Sequence, residues 1–167
     1  MKKISFQSFS QYAHTVEQSF RRAACGPTTI YSILSHYGGN VPSINTIFKK
    51  ARCRSYGLSK RKMIRYLKQY GDPSYCAESG TIDEALREID AGRPVAMKFD
   101  KWFSGRWWER PTYDYHWVPL IGYVEKEDEL QLIVGTNRAI GETRTISYQA
   151  NRSVLSFVLY RPHSERD

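Results

Sequence analysis

Helix signals dominate this chain as far as Gly92, and strand signals dominate it from there to the end. That segregation constrains the fold more than any other feature. Helices that come first and strands that come later argue for an α+β architecture, with helices packed against a mostly antiparallel sheet. The helical half is marked by its ends. Pro27 suits a first helical turn, Ile30, Ile33, Leu34 and Tyr37 fall on one face, and Gly38 suits the stop, which predicts a helix starting at Cys25. Ser43 predicts an N-cap for a short helix over 43–50, and Ser59 one for a helix that ends at Gly71, with Met63, Ile64 and Leu67 as its apolar stripe. Thr81 followed three residues later by Glu84 is a capping box, opening a helix that runs to about Ala91 and stops at Gly92.

Beyond that point the segments 94–99, 116–124, 130–135, 142–148 and 154–160 are rich in Val, Ile, Tyr and Phe and read as strands. Residues 2–7 suit a short edge strand, and Cys76 falls in another short strand. The 167 residues suit one compact domain spanning 1–167, and no linker or internal repeat divides them. No apolar run approaches the ~18 residues of a membrane span. The N-terminus lacks the apolar stretch of a signal peptide. Three cysteines at irregular spacing give neither a disulfide framework nor a metal knuckle, and no cofactor motif is present. Free thiols in a reducing compartment follow, hence a cytoplasmic protein or one secreted without a cleavable signal.

The net charge of +8 is unevenly spread. Residues 1–70 hold thirteen Lys/Arg and one acid, whereas residues 71–167 hold twelve and sixteen. The first half therefore favours acidic partners and raises their encounter rate. Its densest stretch, from Lys49 to Lys68, is either a solvated surface or a docking face for an acidic peptide, a membrane surface or nucleic acid. Nucleic acid is not favoured, because no recognised motif accompanies the charge.

The sharpest chemical signal is Ala24-Cys25-Gly26-Pro27-Thr28. It puts a thiol at a helix N-terminus, where the dipole and free N–H groups stabilise a thiolate. Gly26 leaves room for a substrate backbone beside the sulfur. Of the four histidines, His14 is in a polar stretch, His36 is ~16 Å away at the far end of the same helix, and His163 is in a charged tail. His116 alone opens an apolar strand. A polar turn over 125–129 folds that strand into a hairpin whose paired positions sum to about 254, which brings Asn137 beside His116. The amide oxygen of Asn137 is then expected to accept from one ring nitrogen and leave the other to face Cys25, the Cys-His-Asn logic of papain-like enzymes.

Together these residues resemble the double-glycine leader peptidases and their stand-alone relatives, a branch of the papain-like cysteine peptidases. The likeness lies in Cys25-Gly26 at a helix start, in Gly92-Arg93-Pro94-Val95 before a central strand, in His116 followed by Gly122-Tyr123, and in a polar residue ending the next strand, over roughly residues 4–140. It implies a papain-like fold and hydrolysis of a peptide or protein substrate through an acyl-enzyme on Cys25. It also implies an oxyanion-binding glutamine upstream of the cysteine, for which Gln18 is preferred and Gln11 is the alternative. The family's usual Asp is here Asn137, followed by Arg138 rather than Pro. The same half-reaction with an amine acceptor makes an acyltransferase, and the fold without chemistry makes a binding module that uses the basic face. The stretch Trp102-Phe103-Ser104-Gly105-Arg106-Trp107-Trp108 is either a satellite core or a wall of the cleft.

Overall fold

A computed structural model describes residues 1–166. The helices begin and end where their caps predict. α1 (Cys25–His36) stops at Tyr37, with Gly38 left-handed at φ +75°. α2 (Ile44–Lys50) and α3 (Lys60–Tyr70) start on the hydroxyls of Ser43 and Ser59, which accept from the N–H groups of Thr46 and Lys62. α4 (Ile82–Asp90) carries the complete Thr81/Glu84 capping box.

Seven strands among the described residues form one sheet: β1 (Lys2–Lys3), β2 (Tyr75–Gly80), β3 (Val95–Asp100), β4 (Tyr115–Lys126), β5 (Glu129–Gly135), β6 (Thr143–Ser147) and β7 (Leu155–Pro162). Their order is β2-β7-β3-β4-β5-β6, with β1 beside β4, and every pairing is antiparallel. The expected strand over 2–7 is shorter, because only Lys2 and Lys3 pair, with Tyr123 and Gly122.

Both faces of the sheet are covered, which explains why the central strands read as nearly continuous apolar runs. Alternate side chains serve alternate faces. On one face Ala77, Ala96, Trp117, Val158 and Tyr160 pack with Ile30, Ile33, Leu58, Met63 and Leu67 from the α1–α3 half of the chain. On the other, Val95, Met97, Phe99, Val118 and Leu120 pack with Ala85 and Ile89 of α4. A fully buried Leu, Ile or Phe side chain stabilises the fold by roughly 1.5–3 kcal/mol. The first of these layers therefore holds α1 on the sheet beside β4.

Leu58 has a second task. Its side chain packs over the start of α1, where a Cβ on Gly26 would lie 2.6 Å from the Leu58 Cβ. Its carbonyl accepts from both Tyr115 Oη and Trp117 Nε1, at 2.7 Å each. One buried carbonyl thus pins the loop before α3 to the first residues of β4.

Candidate active site

Cys25 is the first residue of α1 and is only 4% exposed. His116 is the second residue of β4. Both line one cavity of about 380 Å³, whose other walls include Arg22, Tyr56, Trp102, Phe103 and Tyr115. The helix–strand packing brings together two groups ninety-one positions apart in the chain.

The electrostatics of the thiol are a contest. Burial raises the Cys25 pKa and is the largest effect. The N–H groups of Trp117, Gly26 and Cys25 itself pull it down, as does the charge of Lys98. The helix terminus acts as the sequence implies, but burial outweighs it, so the expected resting thiolate is corrected to a neutral thiol. His116 is half-buried, and burial holds its imidazole below the ordinary value, although the Thr136 carbonyl opposes this. At neutral pH the pair is therefore a thiol and a neutral imidazole, which suits proton transfer during attack rather than a preformed ion pair.

The orientation of the imidazole is set by the Thr136 carbonyl, 3.2 Å from His116 Nε2. That bond assigns the proton to Nε2 and leaves Nδ1 as the basic nitrogen. The Tyr113 ring packs on the imidazole at 4.7 Å. Thr136 is itself fixed, since its hydroxyl donates to Glu142 and accepts from the Arg138 N–H.

Asn137 reaches the site by a different route from the one expected. Its backbone is left-handed at φ +60°, a conformation Asn tolerates better than most residues. Its Nδ2 donates to Trp117 O at 2.8 Å, Thr29 Oγ1 at 2.9 Å and Cys25 O at 3.3 Å. Its Oδ1 is buried and has no partner among the described residues. The amide therefore ties the start of α1 to β4, and it is the carbonyl of Thr136, one residue earlier, that bonds the ring of His116. The register itself is the expected one: past the shift at Ile121, Leu120 pairs with Val134 at a sum of 254. Continued, it sets Asn137 opposite Trp117, whose carbonyl its amide bonds, and adjacent strand positions face opposite sides of a sheet, so the amide does not meet the His116 ring.

Gln18 is exposed, and it lines none of the cavities that include Cys25 or His116. Gln11, the alternative, is 3% exposed and lines a second depression that shares Arg22, Tyr115 and His116 with the first. Its backbone N–H donates to Asn137 O at 2.9 Å, and its Nε2 donates to Arg21 O at 2.7 Å. Two residues of the site were not singled out from the sequence. Thr136 was a diagonal neighbour in the very hairpin that pointed to Asn137. Lys98 is buried, 3.1 Å from Asp100 and over the Tyr115 ring at 4.7 Å, and only an isolated charge inside an apolar strand signalled it. Among the described residues no group of His, Cys, Asp and Glu is suited to a metal ion.

Residues 3–152 match the model of the Peptidase_C39 like family. No curated protein matches the chain in sequence. Solved structures do match it in fold. A putative C39-like peptidase from Bacillus anthracis superposes with a TM-score of 0.68 at 13% identity, over 97% of this chain and 99% of that one. The peptidase domain of Streptococcus ComA, a bi-functional ABC transporter involved in a quorum sensing pathway, gives 0.57 at 17% identity, over 84% and 93%. A double glycine motif protease from an AMS/PCAT transporter, solved with its leader peptide, gives 0.56 at 12% identity, over 97% and 99%.

Proposed function

Because the chain belongs to the Peptidase_C39 like family, we propose that it is a papain-like cysteine peptidase in which Cys25 is the nucleophile and His116 its general base. The observation that carries this reading is the shared cavity: the sulfur at the start of α1 and the imidazole on β4 open into the same space. A related structure holds a leader peptide, which supports a peptide as the substrate here.

Nδ1 of His116 takes the thiol proton as the sulfur attacks the scissile carbonyl carbon. The developing oxyanion is held by the Cys25 N–H at the helix start and by the amide of Gln11, whose burial and link to Asn137 favour it over Gln18. The protonated imidazole gives its proton to the leaving amine. Water, deprotonated by His116, then releases the acyl group and regenerates the thiol. Thr136 and Asn137 are positioning residues. The first sets the tautomer, and the second holds helix to strand.

Arg22 and Arg138 flank His116 in the second depression, and no acid pairs with either among the described residues. They favour a peptide that carries negative charge. The test compares the wild-type protein with Cys25→Ala on a defined peptide mixture read by mass spectrometry. Loss of at least ~10³-fold in turnover in the variant is expected. Equal turnover by Cys25→Ala, or no turnover by either protein, overturns the proposal.

A further inference from the structure

The cavity that opens on Cys25 has walls that a glycine-selective cleft does not need. Tyr56 rises from the loop before α3, Trp102 and Phe103 from the loop after β3, and Tyr115 from the start of β4. Phe103 bridges the other two phenyl-type rings, edge-on to Tyr56 at 6.1 Å and to Tyr115 at 6.0 Å. Tyr56, Trp102 and Phe103 are 54%, 50% and 70% exposed, so the fold gains little from burying them. Grouped exposed aromatics at the rim of a cleft mark a surface that is covered in use.

The rings are held in place, not scattered. The Phe103 N–H donates to Asp100 Oδ1 at 2.7 Å, and Trp107 Nε1 donates to the Trp102 carbonyl at 2.8 Å. The Lys101 N–H donates to Asp114 O at 2.8 Å, which closes the base of the loop. On the opposite wall Gly57 is left-handed at φ +84°, and a Cβ there would lie 3.0 Å from the Tyr115 ring. The glycine thins that wall so that the ring can stand in the cavity. Arg22, in the cavity wall, disfavours a basic side chain there; Lys101, paired with Asp114, sits over the Trp102 ring at 5.2 Å.

We infer that this cavity is a specificity pocket for an aromatic side chain close to the scissile bond, so that the substrate is a peptide with Phe, Tyr or Trp at that position and not one defined by paired glycines. The inference rests on the peptidase reading. A ring seated in the cavity against the walls formed by Tyr56, Phe103 and Tyr115 meets the edge and face contacts aromatic pairs prefer. A glycine leaves the same space to water.

The test uses acyloxymethyl ketones of the form acetyl-Ala-Ala-X and acetyl-Ala-X-Ala, with X as Phe, Gly or Lys, and reads the rate of covalent labelling at Cys25 by intact mass. The Phe ketone should exceed the Gly and Lys ketones at least ~10-fold in one of the two series, the range over which apolar pockets discriminate. Phe103→Ala and Tyr56→Ala should each lower the Phe/Gly ratio several-fold. Trp108→Ala, on the same loop but outside the cavity, should leave that ratio unchanged. If the Gly ketone labels as fast as the Phe ketone in both series, and both label faster than iodoacetamide, the aromatic assignment falls and the peptidase reading stands. If every ketone labels Cys25 no faster than iodoacetamide, the peptidase reading falls with it. A Phe/Gly ratio unchanged in both wall variants also overturns the assignment.

Discussion

Replacing Asn137 with Asp separates two accounts of this residue. Asp keeps the size and tolerates the left-handed backbone at φ +60°, so the change isolates the loss of the amide N–H groups. In the structure those groups satisfy three buried acceptors: the carbonyls of Trp117 and Cys25 and the hydroxyl of Thr29. A carboxylate satisfies neither carbonyl and faces both. Cys25 O keeps the Thr29 N–H of the first helical turn, so the bonds that matter are those to Trp117 O and Thr29 Oγ1; at roughly 1–3 kcal/mol for a lost buried donor, Asn137→Asp should destabilise the fold by at least about 1–3 kcal/mol. The new carboxyl would be buried beside carbonyl oxygens, which raises its folded-state pKa above the unfolded ~3.9. A group raised in this way is least harmful below its unfolded pKa. The deficit relative to wild type should therefore grow from about pH 4 upward until the folded-state value is passed, by at most ~1.4 kcal/mol per pH unit. Urea unfolding of both proteins at pH 4, 6 and 8 measures it. A deficit under 1 kcal/mol that does not grow with pH would refute the reasoning. So would a variant with undiminished peptidase activity, since that is the result expected if residue 137 serves His116 as an acceptor.

Two further outcomes follow from the same geometry. Burial depresses the His116 pKa below its unfolded 6.5, so the unfolded chain takes up this proton first as pH falls, and the residue costs stability below about pH 6.5; His116→Gln should narrow its stability gap to wild type between pH 7.5 and 5, as followed by thermal unfolding, and a constant gap would count against the burial. Gly26→Ala places a Cβ 2.6 Å from Leu58 Cβ and should cost ~1–3 kcal/mol in unfolding free energy, with slower labelling of Cys25, whereas an unchanged midpoint would mean that Leu58 yields freely.

How much of this was legible in the sequence depends on the range of the interaction. Ser43, Ser59 and the Thr81/Glu84 pair act within one turn of their own helices, and they mark the boundaries correctly. The antiparallel α+β architecture was legible because strand periodicity is also local. The hairpin rule matches the register beside the site, where Leu120 pairs with Val134 at a sum of 254, but that register sets Asn137 opposite Trp117, and neighbouring positions face opposite sides of the sheet. The shift at Ile121 has no marker in the sequence strong enough to predict it. Spacing preferred Gln18 to Gln11, whose burial was not legible because the thirteen residues between it and Cys25 hold only one short 3-10 turn. The sign of the thiol shift depends on how deeply α1 seats against β4, which is a property of packing and not of the Cys-Gly-Pro run. The covering of both sheet faces was likewise beyond a reading that placed the helices simply before the strands.

The three bonds of the Asn137 amide have a kinetic consequence. They span sequence separations of 112, 108 and 20 residues. Contacts of such long loops close late, because the entropy of closure precedes their reward. A chain emerging from the ribosome carries Cys25 early, but His116 arrives 91 and Asn137 112 residues afterwards. Cys25 and His116 thus come to line one cavity only after α1 has docked on β4, and whatever chemistry that cavity supports waits for these long-range contacts.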